Sequence, residues 1–204
     1  MPEIISEAQM LHLMTQHSIW IVTSQGATHP TGSKLSLIDA SFSDMAISAQ
    51  NLSSAEFVRC QVANVTFIKC DFSGSILIGS IFNNCSFLEC SFVKADFRSA
   101  NCSGVDFTGS DLTRADLTDS TFKDVNLTNC RLNWAWLIET DLRNAILDHT
   151  EFKGARMVGT KVYNSRRFTL GTLEQTVVKD IDISPQGDGE KRSGIEAIDF
   201  LREN

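Results

Sequence analysis

Chemistry in this chain would have to come from four histidines, six cysteines, or the aspartates crowded between residues 96 and 124. The histidines do not converge. His12, His17 and His29 fall near the N-terminus, and His149 stands beside Asp148, where adjacent side chains face different ways and no nucleophile is implicated. Cys60, Cys70, Cys85, Cys90, Cys102 and Cys130 include no CxxC and no interleaved histidine, so no metal or other cofactor is expected. Asp96, Asp106, Asp111, Asp116, Asp119 and Asp124 are better candidates. With Arg98, Arg114 and Lys123 they leave −3 over residues 96–124, six acids against three bases. They read either as an acidic surface or weak cation site, or as turn residues bonding nearby backbone. No nucleophile–base pair emerges, and the expected class is not an enzyme.

What must position these groups is a repeat. Every fifth residue from Leu37 to Val162 is apolar, 26 positions in register in a chain that is 42% hydrophobic. Chance gives such a run with a probability on the order of 10^-10. With the apolar residue called i, position i−2 is small from Ala55 to Thr160, i−1 is mostly polar, and i+2 holds six glycines. A helix has period 3.6 and a strand period 2, so neither fits. A three-residue extended piece with two inward side chains, followed by a two-residue corner, does. Phe72, Phe82, Phe87, Phe92, Phe97, Phe107, Leu112 and Leu117 are then the stacked core. Five cysteines take i−2 and Cys102 takes i, so all six read as reduced, inward, small hydrophobes. Cys70 and Cys90, twenty residues apart, would stack on neighbouring coils at a separation that suits a disulfide if a coil holds twenty residues. All three prolines lie outside the array, as backbone pairing between coils requires.

Runs such as Ala95-Asp96-Phe97-Arg98-Ser99 and Ala115-Asp116-Leu117-Thr118-Asp119 resemble the A(D/N)LXX motif of the pentapeptide-repeat family. The likeness spans about residues 35–164. It implies an all-β solenoid: a right-handed quadrilateral β-helix with four repeats per coil, hence about 6.5 coils and roughly 31 Å of rod.

The ends lie outside the register. Residues 1–34 read as a cap: Ser6-Glu7-Ala8-Gln9 is a capping box opening a helix to about Gln16, Ile19–Val22 is a short buried strand, and Gly26–Lys34 is a loop. In the segment 165–204, Arg167 stands where an apolar residue is due, while Phe168, Leu173, Val178 and Ile183 follow at five with a one-residue shift. The solenoid is therefore not extended past 164. Thr176–Ile183 reads as a strand with Ile181 and Ile183 on one face and Asp180 and Asp182 on the other. Ser193-Gly194-Ile195-Glu196 opens a short helix bearing Ile195, Ile198 and Leu201. That helix caps the last coil, folds over a side, or pairs with a second copy as a homodimer.

Apolar side chains in outward slots carry the remaining signal. Trp134, Trp136 and Ile138 share a coil, with Val158 stacked on Ile138; Ile76, Ile78 and Ile81 form a second set with Val58. Exposed apolar patches mark contacts, and Trp is enriched at binding hot spots, unless the terminal segments cover them. The net charge of −7 and pI near 5.0 exclude a basic footprint for nucleic acid, and no stretch approaches the roughly 20 apolar residues of a membrane span. The N-terminus lacks a signal-peptide pattern, and a cytoplasmic location is expected. The expected function is a rigid rod presenting surface columns, Asp96 and Asp116 among them, to a protein partner. The resemblance adds an alternative. Some family members, including quinolone-resistance proteins, bind type II topoisomerases such as DNA gyrase by imitating duplex DNA; those commonly carry projecting loops, which residues 35–164 lack.

Overall fold

The computed structural model describes residues 2–25, 31–165, 175–185 and 189–203. Chain order is β1 (Glu3–Ile4), α1 (Glu7–Ser24), β2 (Ser36–Ile38), β3 (Ala40–Ser48), β4 (Glu56–Val58), β5 (Gln61–Ile68), β6 (Ile81–Asn83), β7 (Ser86–Leu88), β8 (Trp136–Ile138), β9 (Arg156–Val158), β10 (Val177–Lys179), β11 (Ile181–Asp182), β12 (Lys191–Arg192) and α2 (Gly194–Glu203). Through the repeat, strands and isolated bridges pair in parallel twenty residues apart, as in Phe42 with Val62 and Val62 with Phe82. The result is a β-solenoid of about seven turns.

Hydrogen bonding explains the five-residue unit. Around Phe97, the i−1 amide of Asp96 donates to Ser75 O on the preceding coil at 2.9 Å, and Phe97 N donates to Asp116 O on the following coil at 2.8 Å. Ser99 N, at i+2, also reaches the following coil, donating to Thr118 O at 3.0 Å, while Ala95 N closes the turn onto Phe92 O at 2.9 Å. One amide per unit, at i+1, is left over. Arg98 N donates it to Asp96 Oδ1 at 3.1 Å, and Thr118 N does the same to Asp116 Oδ1 at 3.0 Å. Where i−1 is Asp or Asn, its side chain thus completes the backbone accounting of the unit, which is why these two residues recur there.

The corner at i+2 is left-handed throughout. From Asp39 to Asn164 every i+2 residue has φ between 51° and 73°, glycine or not. A left-handed residue costs about 1 kcal/mol or more without glycine, so the amide bond to the next coil must hold it. Side chains help along one column: Asn64 donates to Asp44 at 2.9 Å and Asn84 to Asn64 at 2.8 Å, and Asn144 and Asn164 repeat the ladder above Asp124. Each ladder begins at an aspartate because its first member only accepts.

The interior is two offset aromatic stacks grading into leucine. Phe67, Phe87 and Phe107 lie near-parallel at 4.9 and 5.1 Å, and Phe72 and Phe92 at 4.9 Å, with edge contacts between the stacks. Leu112, Leu117, Phe82 and Phe97 are buried as expected. The i−2 residues do more than fill space. Ser110 Oγ donates to Phe87 O at 2.7 Å, Thr140 to Leu117 O at 2.8 Å, and the Cys130 thiol to Phe107 O at 2.9 Å. All six cysteines are buried and free of disulfides, Cys70 and Cys90 included, and burial pushes the Cys130 thiol up to about 12.

The N-terminal cap departs from expectation in one element. The Ser6–Gln9 capping box is present, but α1 runs on to Ser24, so Ile19–Val22 is helical and its side chains are half-buried or exposed. The β-branched run favours a strand locally; docking of the helix decides otherwise. Met10, Met14 and His17 face the first coil, and the strand of the leader is instead β1, which pairs with Ala40 and Ser41 of β3. His17 is fully buried. Its Nδ1 accepts from Leu35 N at 3.0 Å and its Nε2 lies 3.1 Å from Ser53 O, joining the helix to the start and the end of the first coil. Of the expected loop, residues 26–30 lie outside the described residues.

At the C-terminus the solenoid extends further than the register suggested. β10 pairs in parallel with β9, and Asp182 bridges Lys161, both at a spacing of 21 rather than 20. One inserted residue moved the pattern without ending the stacking. Arg167, Phe168 and Leu173 lie outside the described residues. The expected single strand bends at Asp180 (φ 51°) into β10 and β11, and Asp182 is buried rather than outward, accepting from Ser184 N and Gly189 N. α2 packs against β10 of its own chain. Ser193 ties it down by accepting from Asp180 N at 2.7 Å. The side chains of Ile195 and Leu201 lie outside the described residues, and Ile198 packs partly buried against the core.

Candidate interaction face

Each coil turns two side chains, i−1 and i+1, outward on each of its sides. One side stacks Ser36, Glu56, Ile76, Asp96, Asp116, Trp136, Arg156 and Val177 in a single i−1 column. The i+1 column beside it runs from Ile38 through Val58, Ile78, Arg98, Thr118, Ile138 and Val158 to Lys179. The two apolar sets read separately from the sequence therefore belong to one face. Ile81 does not: it lies round the Gly79 corner, between Gln61 and Asn101. Ile38 and Val177, 54% and 48% exposed, belong to the face and were missed. Ile38 precedes Val58 by twenty residues, a signal present in the register; Val177 was hidden by the inserted residue.

Trp134 and Trp136 are 47% and 50% exposed, with Ile138 and Val158 half-buried beside them. Trp134 sits at a corner and spreads over Gly154 of the next coil. A Cβ on Gly154 would lie 2.5 Å from the indole, and φ there is +68°. Gly154→Ala is therefore expected to displace the Trp134 ring, shift its fluorescence, and cost about 1–2 kcal/mol in denaturant unfolding. An unchanged emission spectrum would contradict the stacking. Around the rings opens a groove of about 550 Å³, flanked by Arg114 and Arg156 and floored by Gly154, with Gln175 and Val177 at its end.

Between the two apolar zones lies a charged band. Asp96 and Asp116 are stacked neighbours, as their spacing required. Each caps a backbone amide, and Arg98 grips Asp96 at 2.7 Å while standing 3.9 Å from Asp116. Asp39 with Arg59, Glu56 with Lys34, and Asp111 with Arg131 are likewise paired. Arg114 and Asp119, at the two corners that bound this face on one coil, are exposed and have no ion pair among the described residues.

Among the described residues no three His, Cys, Asp or Glu side chains come together as a metal site, and no helix is long and apolar enough to cross a membrane. His12 lies on α1, His149 stands at a left-handed corner, and His29 lies outside the described residues.

Residues 57–137 match the family model described as pentapeptide repeat region, and residues 126–161 match the model of pentapeptide repeats in eight copies. No curated protein matches the chain. Among solved structures, HetL, a pentapeptide repeat protein involved in heterocyst differentiation regulation in the cyanobacterium Nostoc, is 16% identical, with 74% of this chain and 83% of that one covered at a TM-score of 0.43. QnrB1, a plasmid-mediated fluoroquinolone resistance protein, is 18% identical, with 79% of this chain and 97% of that one covered at a TM-score of 0.30.

Proposed function

Because the chain belongs to the pentapeptide-repeat family and carries its exposed tryptophans on one flat face, we propose that it is a non-enzymatic protein-interaction rod. The observation that carries this reading is the Trp134–Trp136 groove: two half-exposed indoles fixed on a rigid ladder and flanked by arginines. Trp and Arg are among the side chains most enriched at binding hot spots, and here the scaffold orders them before binding. Trp134→Ser/Trp136→Ser is expected to lose partner recovery in a pull-down by about tenfold or more while melting like wild type. Undiminished recovery would remove the groove from the interface.

The net charge of −7 favours a second reading, action on a type II topoisomerase such as gyrase by mimicry of duplex DNA. Against it, many acids on the rod are neutralised by adjacent arginines or lysines rather than presented as phosphate-like rows. A gyrase supercoiling assay, with and without a fluoroquinolone, separates the two: no effect at micromolar protein would exclude the mimic.

A further inference from the structure

We propose that the face bearing Trp134 and Trp136 docks on a second copy of this chain, with the two rods side by side and parallel about a twofold axis along their length. The inference rests on the interaction reading above and names the partner. Like chains usually associate through closed twofold symmetry, in which one patch meets itself. A face built of stacked coils can meet its copy about an axis along the rod, or about an axis across it.

The axis along the rod keeps every coil at its own level and exchanges the left and right edges of the face. Ile76 then opposes Ile78 of the second copy, and Trp136 opposes Ile138. At three levels charges fall opposite their complements, Asp96 against Arg98, Lys34 against Asp39, and Arg114 against Asp119, and elsewhere a charge faces an uncharged residue. The last pair matters most, because neither residue has an ion pair within its own chain among the described residues. No like charges meet on this arrangement.

The axis across the rod reverses the order of coils. Apolar zones still meet, since Ile76 faces Trp136, but Asp96 now faces Asp116, Lys94 faces Arg114, and Asp39 faces Asp180. Like charges across an interface are strongly unfavourable. Symmetry therefore favours the parallel pair. The eight stacked levels from Ser36 to Val177 make a face about 34 Å long, at about 4.8 Å per step. The left-handed corners at Gly74, Gly79, Gly154 and Gly159 keep both edges low at two levels, so the sheets approach without projecting side chains there except those of Trp134 and Glu139.

The test uses the full chain with sedimentation velocity across a concentration series. Arg114→Asp and Asp119→Arg are exposed changes at corners where charged residues already occur. Each is expected to weaken self-association about tenfold, because two symmetry-related contacts become repulsive at once. An equimolar mixture of the two variants is expected to regain dimer, since each contact then joins opposite charges. Lys179→Cys, on a background whose own cysteines are all buried, is expected to cross-link through a short bis-maleimide. The crosswise pair would hold those thiols about 34 Å apart and leave them unlinked. A wild-type chain that stays monomeric throughout, a mixture no better than its components, or absent cross-linking overturns the proposal. Monomeric wild type together with loss of partner recovery on Trp134→Ser/Trp136→Ser would overturn the second copy alone and leave the interaction face standing.

Discussion

Phe87→Asp is expected to abolish cooperative folding of the repeat array near room temperature. Phe87 is fully buried, stacked between Phe67 and Phe107 at 4.9 and 5.1 Å, with edge contacts to Phe82 and Phe92 at 5.3 and 5.2 Å. Losing the ring costs about 3–5 kcal/mol. An unpaired carboxylate at the same point adds several kcal/mol more, since the Phe87 and Glu89 amides are already committed to the ladder. The sum, about 6 kcal/mol or more, is comparable with the whole stability of an ordinary domain. Damage also spreads, because each coil is held only by its neighbours. A circular-dichroism melt is the measurement, with Phe87→Leu as a control expected to lose far less. A Phe87→Asp melt within a few degrees of wild type would contradict the inward assignment of every fifth residue.

The second large effect is expected at His17, and it depends on pH. A backbone amide can only donate, so the Leu35 N–H fixes Nδ1 as the acceptor and leaves the proton on Nε2, which donates to Ser53 O. Protonating Nδ1 would set two donors against each other. Burial lowers the affinity of the ring for a proton; the Ser53 carbonyl opposes this, and Lys34 adds to it, so the balance lies below the ordinary histidine value. The unfolded chain therefore takes up the proton first as pH falls. The contribution of His17 to stability is fully present above about pH 6.5 and is lost progressively as pH drops below that value. His17→Ala removes the dependence and costs about 2–4 kcal/mol at pH 7, leaving the Leu35 amide and the Ser53 carbonyl without their side-chain partner. Denaturant midpoints of both proteins at pH 7 and pH 5.5, with hydrogen exchange at Leu35, check this. Equal pH slopes for the two would show that His17 stays charged or loosely held.

The same contrast shows what could be read from the chain. Phe72, Phe97, Leu112 and Leu117 lie where the spacing put them, as do the buried cysteines and the small i−2 residues. Less was legible in the residues that serve a second purpose. By type and spacing Asp96 and Asp116 suit either display or backbone capping, the second being the commoner use of such residues; the structure shows each holding the amide two residues on, as the spare N–H of the unit demands. His17 carried no signal, because a lone histidine on a helix announces neither of its partners, 18 and 36 residues away.

The amino-acid pattern alone dictated the period, the inward residues and the stacking of the coils, because each unit's surroundings are copies of itself and a short pattern repeated 26 times contains its own tertiary environment. Long-range packing settled what is not repeated. Helix replaced strand at Ile19–Val22 because α1 docks through Met10, Met14 and His17, and the last strands rejoined the solenoid one residue out of step because edge amides and carbonyls must find partners. It also gathered Ile38, Ile76, Trp136 and Val177 onto one face. Which outward residues share a face depends on counting whole coils, and a single inserted residue defeats that count while leaving the hydrogen-bonded ladder intact.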